Sequence, residues 1–255
     1  MEMSFDWSLL GPPLAAGLVV CATHVLFGRE VLKRGIIFID LTIAQVAALG
    51  GIAIEAVGLE AHGWSMQLVA GAAALTAAGL LSWTEHKFAA VQEALIGSLY
   101  VVAACVAILL VSHNPHGGEH LEELLAGQIL WVSYARVWPV AILYVALLAL
   151  WWGGLRHKPI SFYPLFALAV TASVQLVGVY LVFATLILPA LAVRGMSQWR
   201  GLAVAYAIGV AGYAIGLWAS VPLDLPSGPL VVCTLAASVI VAIAIRRGDG
   251  WTESR

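Results

Sequence analysis

Apolar runs long enough to cross a membrane recur along the whole chain, separated by short polar connections. A helix rises about 1.5 Å per residue, so about 20 residues cover a hydrocarbon core of about 30 Å. The runs at 7–27, 36–54, 65–83, 94–112, 137–154, 201–219 and 229–245 meet that length. The stretch 162–193 is apolar for 32 positions, which as one straight helix would reach about 48 Å. It must therefore break or fold back. Gly178 and Pro189 are the candidate break points, because glycine weakens a helix and proline removes a backbone donor. The pattern predicts an all-α polytopic bundle of eight transmembrane helices, or nine if 162–193 crosses twice, forming a single domain over 1–255.

Composition agrees with this pattern and narrows the function classes. The 255 residues are 62% hydrophobic and 10% charged, against about 25% charged in a soluble domain, and the mean hydropathy is +0.97. With net charge −2 there is no basic surface to hold a nucleic-acid backbone against salt, so nucleic acid is excluded as a partner. Membrane lipid is the expected surrounding. Cys21, Cys105 and Cys233 each sit inside an apolar run and read as small core residues rather than a disulfide framework. The N-terminus is acidic where a cleavable signal would be basic, so the first helix is expected to remain in the mature protein. No G-x-x-x-x-G-K-[ST] loop occurs, and any ATP-driven step must borrow its motor from another chain.

Charge placement predicts orientation. Arg29, Lys33 and Arg34 follow the first run, Lys87 the third, Arg156 and Lys158 the fifth, Arg194 and Arg200 the long stretch, and Arg246 and Arg247 the last. The alternate connections carry Glu55, Glu60, Glu119, Glu122, Glu123 and Asp224, with Arg136 the basic exception. Short cytoplasmic loops hold the Lys and Arg excess. The expected topology is N-terminus outside and C-terminus cytoplasmic, with 162–193 entering and returning.

Two constellations could carry chemistry. Asp40 lies within the apolar run beginning at Ile36, where a carboxylate costs several kcal/mol unless paired or wet. It is a candidate for a cation path, or else a structural acid neutralised by Lys33 or Arg34. Gln45 is about 140° from Asp40 around an ideal helix, so the two share a ligand only if the helix is kinked. The second constellation is the connection His113–Glu123, where His113, His116, Glu119 and His120 offer the imidazole and carboxylate donors that Zn²⁺ and related ions prefer. It would gather metal. Residues 116–120 also fit H-x-x-E-H, the inverted zinc-peptidase pattern, although Gly117 and Gly118 disfavour the helix that pattern needs. A membrane-embedded zinc hydrolase is thus the competing reading. His24, His62, His86 and His157 are expected in interfacial or helix-end roles.

Three stretches together resemble the zinc, manganese and iron uptake class of ABC transporter permeases. They are Val31–Asp40 running into Ala47–Gly50, Gln175–Ala190, and Leu225–Gly228, with weaker agreement at Glu93–Gly97 and Leu125–Leu130. The resemblance implies a homodimeric membrane unit served by two cytoplasmic ATP-binding subunits and an extracytoplasmic metal-binding protein. It also implies the inner membrane of a prokaryote, a divalent metal or metal chelate as cargo, and no permanently bound cofactor. On it, Asp40 and Gln45 fall on the helix that lines the family's path.

Two features depart from the family. Its members usually carry an Asp and a His four residues apart on the second helix, where this chain has Leu41 and Gln45, with Asp40 displaced by one. A chelate or a harder ion becomes a candidate cargo, and a transport-inactive, metal-responsive subunit a further alternative. The connection from Trp152 to Phe162 is also shorter than the family's, so ATPase docking is expected at Arg194 and Arg200, or beside Lys87 in the 84–93 segment.

Overall fold

The computed structural model describes residues 7–56, 64–111, 129–155, 158 and 161–248. These form nine α-helices: α1 Trp7–Arg34, α2 Ile39–Ala56, α3 Trp64–Phe88, α4 Gln92–Val111, α5 Tyr134–Trp152, α6 Phe162–Val177, α7 Val179–Ala192, α8 Gln198–Leu223 and α9 Ser227–Gly248. Single 3-10 turns at Ala89–Val91 and Ile129–Trp131 complete the described secondary structure. Five segments are long and apolar enough to span a membrane: Leu10–Arg34, Trp64–Ala107, Tyr134–Trp152, Gln198–Leu223 and Ser227–Arg246. The apolar parts of α2, α6 and α7 are shorter. The chain is a multi-pass helical membrane protein, as its hydrophobic pattern predicts.

The long apolar stretch breaks at Gly178, whose φ of 84° and ψ of 160° suit glycine alone. Pro189 does not break it. It sits inside α7 close to the helix end, where few backbone bonds remain to lose. With 16 and 14 residues, α6 and α7 extend about 24 and 21 Å, less than the membrane core. Both far ends return to the same place. Phe162 at the start of α6 lies under the Arg34 guanidinium, 4.6 Å from its ring centroid, and Ala190 near the end of α7 packs against Gly28. The stretch folds back on itself as a bent pair of half-length helices.

α1 is the central pillar, with Ala16, Val20, Val25, Phe27 and Val31 fully buried. Phe27 packs edge-on against Trp151 at 5.4 Å and Phe162 at 6.0 Å, tying α1 to α5 and α6. On its other side Gly17 admits the Tyr213 ring and Gly28 admits the Leu186 backbone. α8 and α9 meet where Gly212 accepts Leu235 and Gly216 accepts Val231, with the Thr234 hydroxyl donating to the Gly212 carbonyl at 2.7 Å. Of the cysteines, Cys21 is buried while Cys105 and Cys233 are exposed. The core reading thus holds for one of three, because α4 and α9 present part of their apolar circumference outward.

The connections that carry positive charge gather at one end of the bundle. Arg34 Nη1 reaches Glu85 at 3.4 Å, Arg29 Nη1 donates to the Gln198 carbonyl at 2.6 Å, and Arg246 caps α7 through the Ala192 carbonyl at 2.5 Å. A cation on the last carbonyls of a helix is favourable because those groups lack internal donors. Asp224, in a left-handed conformation after α8, lies in the turn to α9.

Candidate translocation site

α2 is pinned at its start by α4. The Phe38 amide donates to Glu93 Oε1 at 3.3 Å, and the Thr42 hydroxyl donates to the Ile96 carbonyl at 3.0 Å. These bonds hold one face of α2 against α4 and turn the opposite face toward α6. At about 100° per residue, Asp40, Ala44, Ala47 and Gly51 share that face. Ala44, Ala47 and Gly51 line a cavity of about 140 Å³ together with Met66 and Ala70 of α3 and Thr171, Val174 and Gln175 of α6. The small side chains on α2 leave this space open.

A larger cavity of about 830 Å³ adjoins it, shares Met66 and Gln175 as lining residues, and runs between the first turns of α3 and α5 past Gln67 and Arg136. The two form a cleft from the end of the bundle opposite the basic connections toward its middle. Asp40 sits one helical turn beyond the lined portion. It is 1% exposed, and neither carboxylate oxygen has a hydrogen-bond partner among the described residues. Thr171, buried on the facing helix, likewise has an unpartnered hydroxyl.

Neither Lys33 nor Arg34 pairs with Asp40 among the described residues. Lys33 lies 3.6 Å from Glu30, and Arg34 is shared between Glu30 and Glu85, so both proposed neutralisers are occupied elsewhere. Gln45 is buried on α2 at 9% exposure but does not line the cleft beside Asp40, in keeping with their angular separation. Arg194, Arg200 and Lys87 are exposed, with the Lys87 ammonium 4.8 Å from the Trp83 ring centroid. His113, His116, Glu119 and His120 lie outside the described residues. Among the described residues no three His, Cys, Asp or Glu side chains converge as a metal site.

His24 departs from its expected helix-end role. It is fully buried, with Nδ1 at 3.1 Å from the Val20 carbonyl and 3.0 Å from the Thr23 hydroxyl, and Nε2 at 3.0 Å from the Ser173 hydroxyl. A neutral imidazole needs one donor and one acceptor, and it finds both. His24 is a bolt between α1 and α6. Thr171 and Gln175, which line the cleft, were also missed as site residues, since each is an ordinary polar residue of a helix until its neighbours are known.

Comparison with known proteins gives this architecture a family. The model of the ABC 3 transport family matches residues 7–157 and 153–246. The chain is 26% identical to the manganese transport system membrane protein MntC of Listeria monocytogenes, over 96% of this chain and 92% of that protein. It is 25% identical to an uncharacterised membrane protein of Synechocystis sp., covering 97% and 94%. Among solved structures, PsaBC from Streptococcus pneumoniae in complex with Fab shares the fold at a TM-score of 0.73 and 19% identity, covering 93% of this chain and 91% of that one. A transport component carries cargo rather than catalysing a reaction, and the zinc-hydrolase reading of 116–120 is set aside. The chain belongs to the ABC 3 transport family and is the membrane permease of a bacterial ABC transport complex.

Proposed function

We propose that this permease moves a divalent metal ion inward, with the cleft between α2, α3, α5 and α6 as its outer path and Asp40 as the acid that receives the cation. The observation that carries this reading is the pair of unpartnered Asp40 oxygens just beyond an open cleft. An isolated buried carboxylate is costly, and a passing cation relieves that cost without a permanent counter-ion. The name of the Listeria relative, which specifies manganese, supports a metal cargo of this class. Oxygen donors such as Asp40, and Thr171 on the facing helix, suit Mn²⁺ better than thiolates would.

The proposed assembly is a homodimer served by two cytoplasmic ATP-binding subunits and an extracytoplasmic metal-binding protein, in the inner membrane of a prokaryote. Clustering of the basic connections supports placing that end, with the C-terminus, in the cytoplasm and the N-terminus outside. The ATP-binding subunit would dock there, at Arg194 and Arg200 or beside Lys87. The His113, His116, Glu119 and His120 segment would gather metal at the cleft mouth, and Gln45 would line the path when α2 rotates.

Asp40→Asn tests the path because it retains shape and loses charge. In vesicles containing permease and ATPase, ⁵⁴Mn²⁺ uptake should fall at least tenfold while the complex still assembles. Uptake at the wild-type rate would remove Asp40 from the path. Absence of metal uptake by the wild-type complex itself would favour a transport-inactive subunit.

A further inference from the structure

A second cavity, of about 470 Å³, lies at the basic end of the bundle, between the α1–α2 corner and the α3–α4 corner. Its lining includes Arg34, Glu85, the exposed Ala89 and Ala90, and the first two residues of α4, Gln92 and Glu93. Gln92 is 4% exposed. Its amide nitrogen is used, donating to the Leu81 carbonyl at 2.9 Å and to the Tyr163 hydroxyl at 3.4 Å. That donation fixes the orientation and leaves Oε1 buried with no partner. Glu93 is similar: Oε1 accepts the Phe38 amide, and Oε2 is buried without a partner.

The charges do not balance locally. Arg34 is divided between Glu30 and Glu85, and Lys33 is held by Glu30. Among the described residues no lysine or arginine lies within 4 Å of either Glu93 or Asp40. A bundle end rich in basic residues therefore contains two acids without a basic side-chain partner, both with their carboxylates at the start of α2, where free backbone amides favour negative charge. Glu93 holds the backbone of Phe38, two residues before Asp40. Its carboxylate stands on the side of α2 away from the outer cleft.

We propose that this cavity is an inner holding site for a hard divalent cation, in which Glu93 and Gln92 supply oxygen donors and Glu85 adds charge at its edge. Two carboxylates and one amide oxygen are too few to strip an ion of its water. Mg²⁺- and Mn²⁺-type ions are commonly held in this way, by one or two carboxylates with several waters retained, and the volume leaves room for those waters. Binding is accordingly weak. A site on an exit route must release what it receives, and Arg34 beside it keeps the cation from settling. The inference rests on the metal-importer reading for its role in transport. The cation site itself can be measured without transport.

The test is Mn²⁺ binding followed by electron paramagnetic resonance on the full-length permease in nanodiscs. A background carrying Asp40→Asn and Glu119→Gln, with His113, His116 and His120 changed to Ala, silences the other candidate donors. Glu93→Gln keeps the acceptor for the Phe38 amide and should weaken the remaining Mn²⁺ binding at least fivefold. Ala90→Glu adds a carboxylate from an exposed position where folding is not at issue, and should tighten binding about threefold. Either variant moving the isotherm as stated supports the site, and an isotherm unmoved by both overturns it. Failure of the importer reading would appear elsewhere, as absence of ⁵⁴Mn²⁺ uptake by the wild-type complex, so the two ideas fall separately.

Discussion

Asp40 and His24 are polar side chains set in apolar helices, and the bundle treats them in opposite ways. His24 is given partners on both ring nitrogens, which makes it structural. Asp40 is given none, which is the feature the proposed cation path rests on. Ser173→Ala should separate these roles. It removes the partner of His24 Nε2, and an orphaned buried polar group costs about 1–3 kcal/mol. Thermal unfolding in detergent should therefore shift down, while Mn²⁺ uptake per folded molecule stays near wild type; a selective loss of uptake would place His24 on the path. The sequence marks both residues through the same signal, a polar position in an apolar run. It cannot tell them apart, because whether such a side chain finds a partner on another helix, as His24 finds Ser173 and Asp40 finds none, is decided only when distant helices pack.

At the scale of elements, apolar length locates the helices because the backbone must satisfy its own hydrogen bonds where water is absent. Helix ends extend beyond the apolar runs, as in α1, which continues through Arg29, Glu30, Lys33 and Arg34, since polar side chains end an apolar run without ending a helix. The glycines are less legible. Gly28 and Gly79 look alike along the chain, yet a Cβ on Gly28 would strike the Leu186 carbonyl oxygen, whereas one on Gly79 meets nothing within 4 Å. Gly28→Ala should destabilise the fold by more than the usual overpacking cost of about 1–3 kcal/mol, because the obstacle is backbone and cannot swing aside. Gly79→Ala should be neutral or gain up to about 1 kcal/mol from helix propensity. Thermal unfolding of the pair measures the difference; equal midpoints would contradict the packing of α1 on α7.

For the whole molecule, the alternation of basic and acidic connections foreshadowed the gathering of Arg29, Arg34 and Arg246 at one end, because each successive crossing reverses the chain. Pairing of the α1–α2 corner with the α3–α4 corner through Glu93 and the Phe38 amide was not legible, since nothing local links positions 55 residues apart. Orientation is testable in intact cells. With the exposed Cys105 and Cys233 replaced by Ser, a cysteine at Asp224 should react with an impermeant thiol reagent. One at Lys158 should react only after the membrane is opened. Reaction of the Lys158 cysteine from outside would invert the topology and with it the direction assigned to the cleft.

The bend at Gly178 also bears on how the protein is made. α6 and α7 are each too short to stand as a stop-transfer segment, and a half-length helix left alone in lipid exposes the polar backbone at its tip. The pair can settle only against surfaces that already exist. α1 and α5 precede it during synthesis and offer Phe27 and Trp151 to α6. α8 and α9 follow, and Tyr213 of α8 reaches Thr185 of α7 at 2.9 Å. Insertion of this region is thus expected to be a late, cooperative step of assembly, with the part of the chain that faces the cleft taking its place only when the rest of the bundle encloses it.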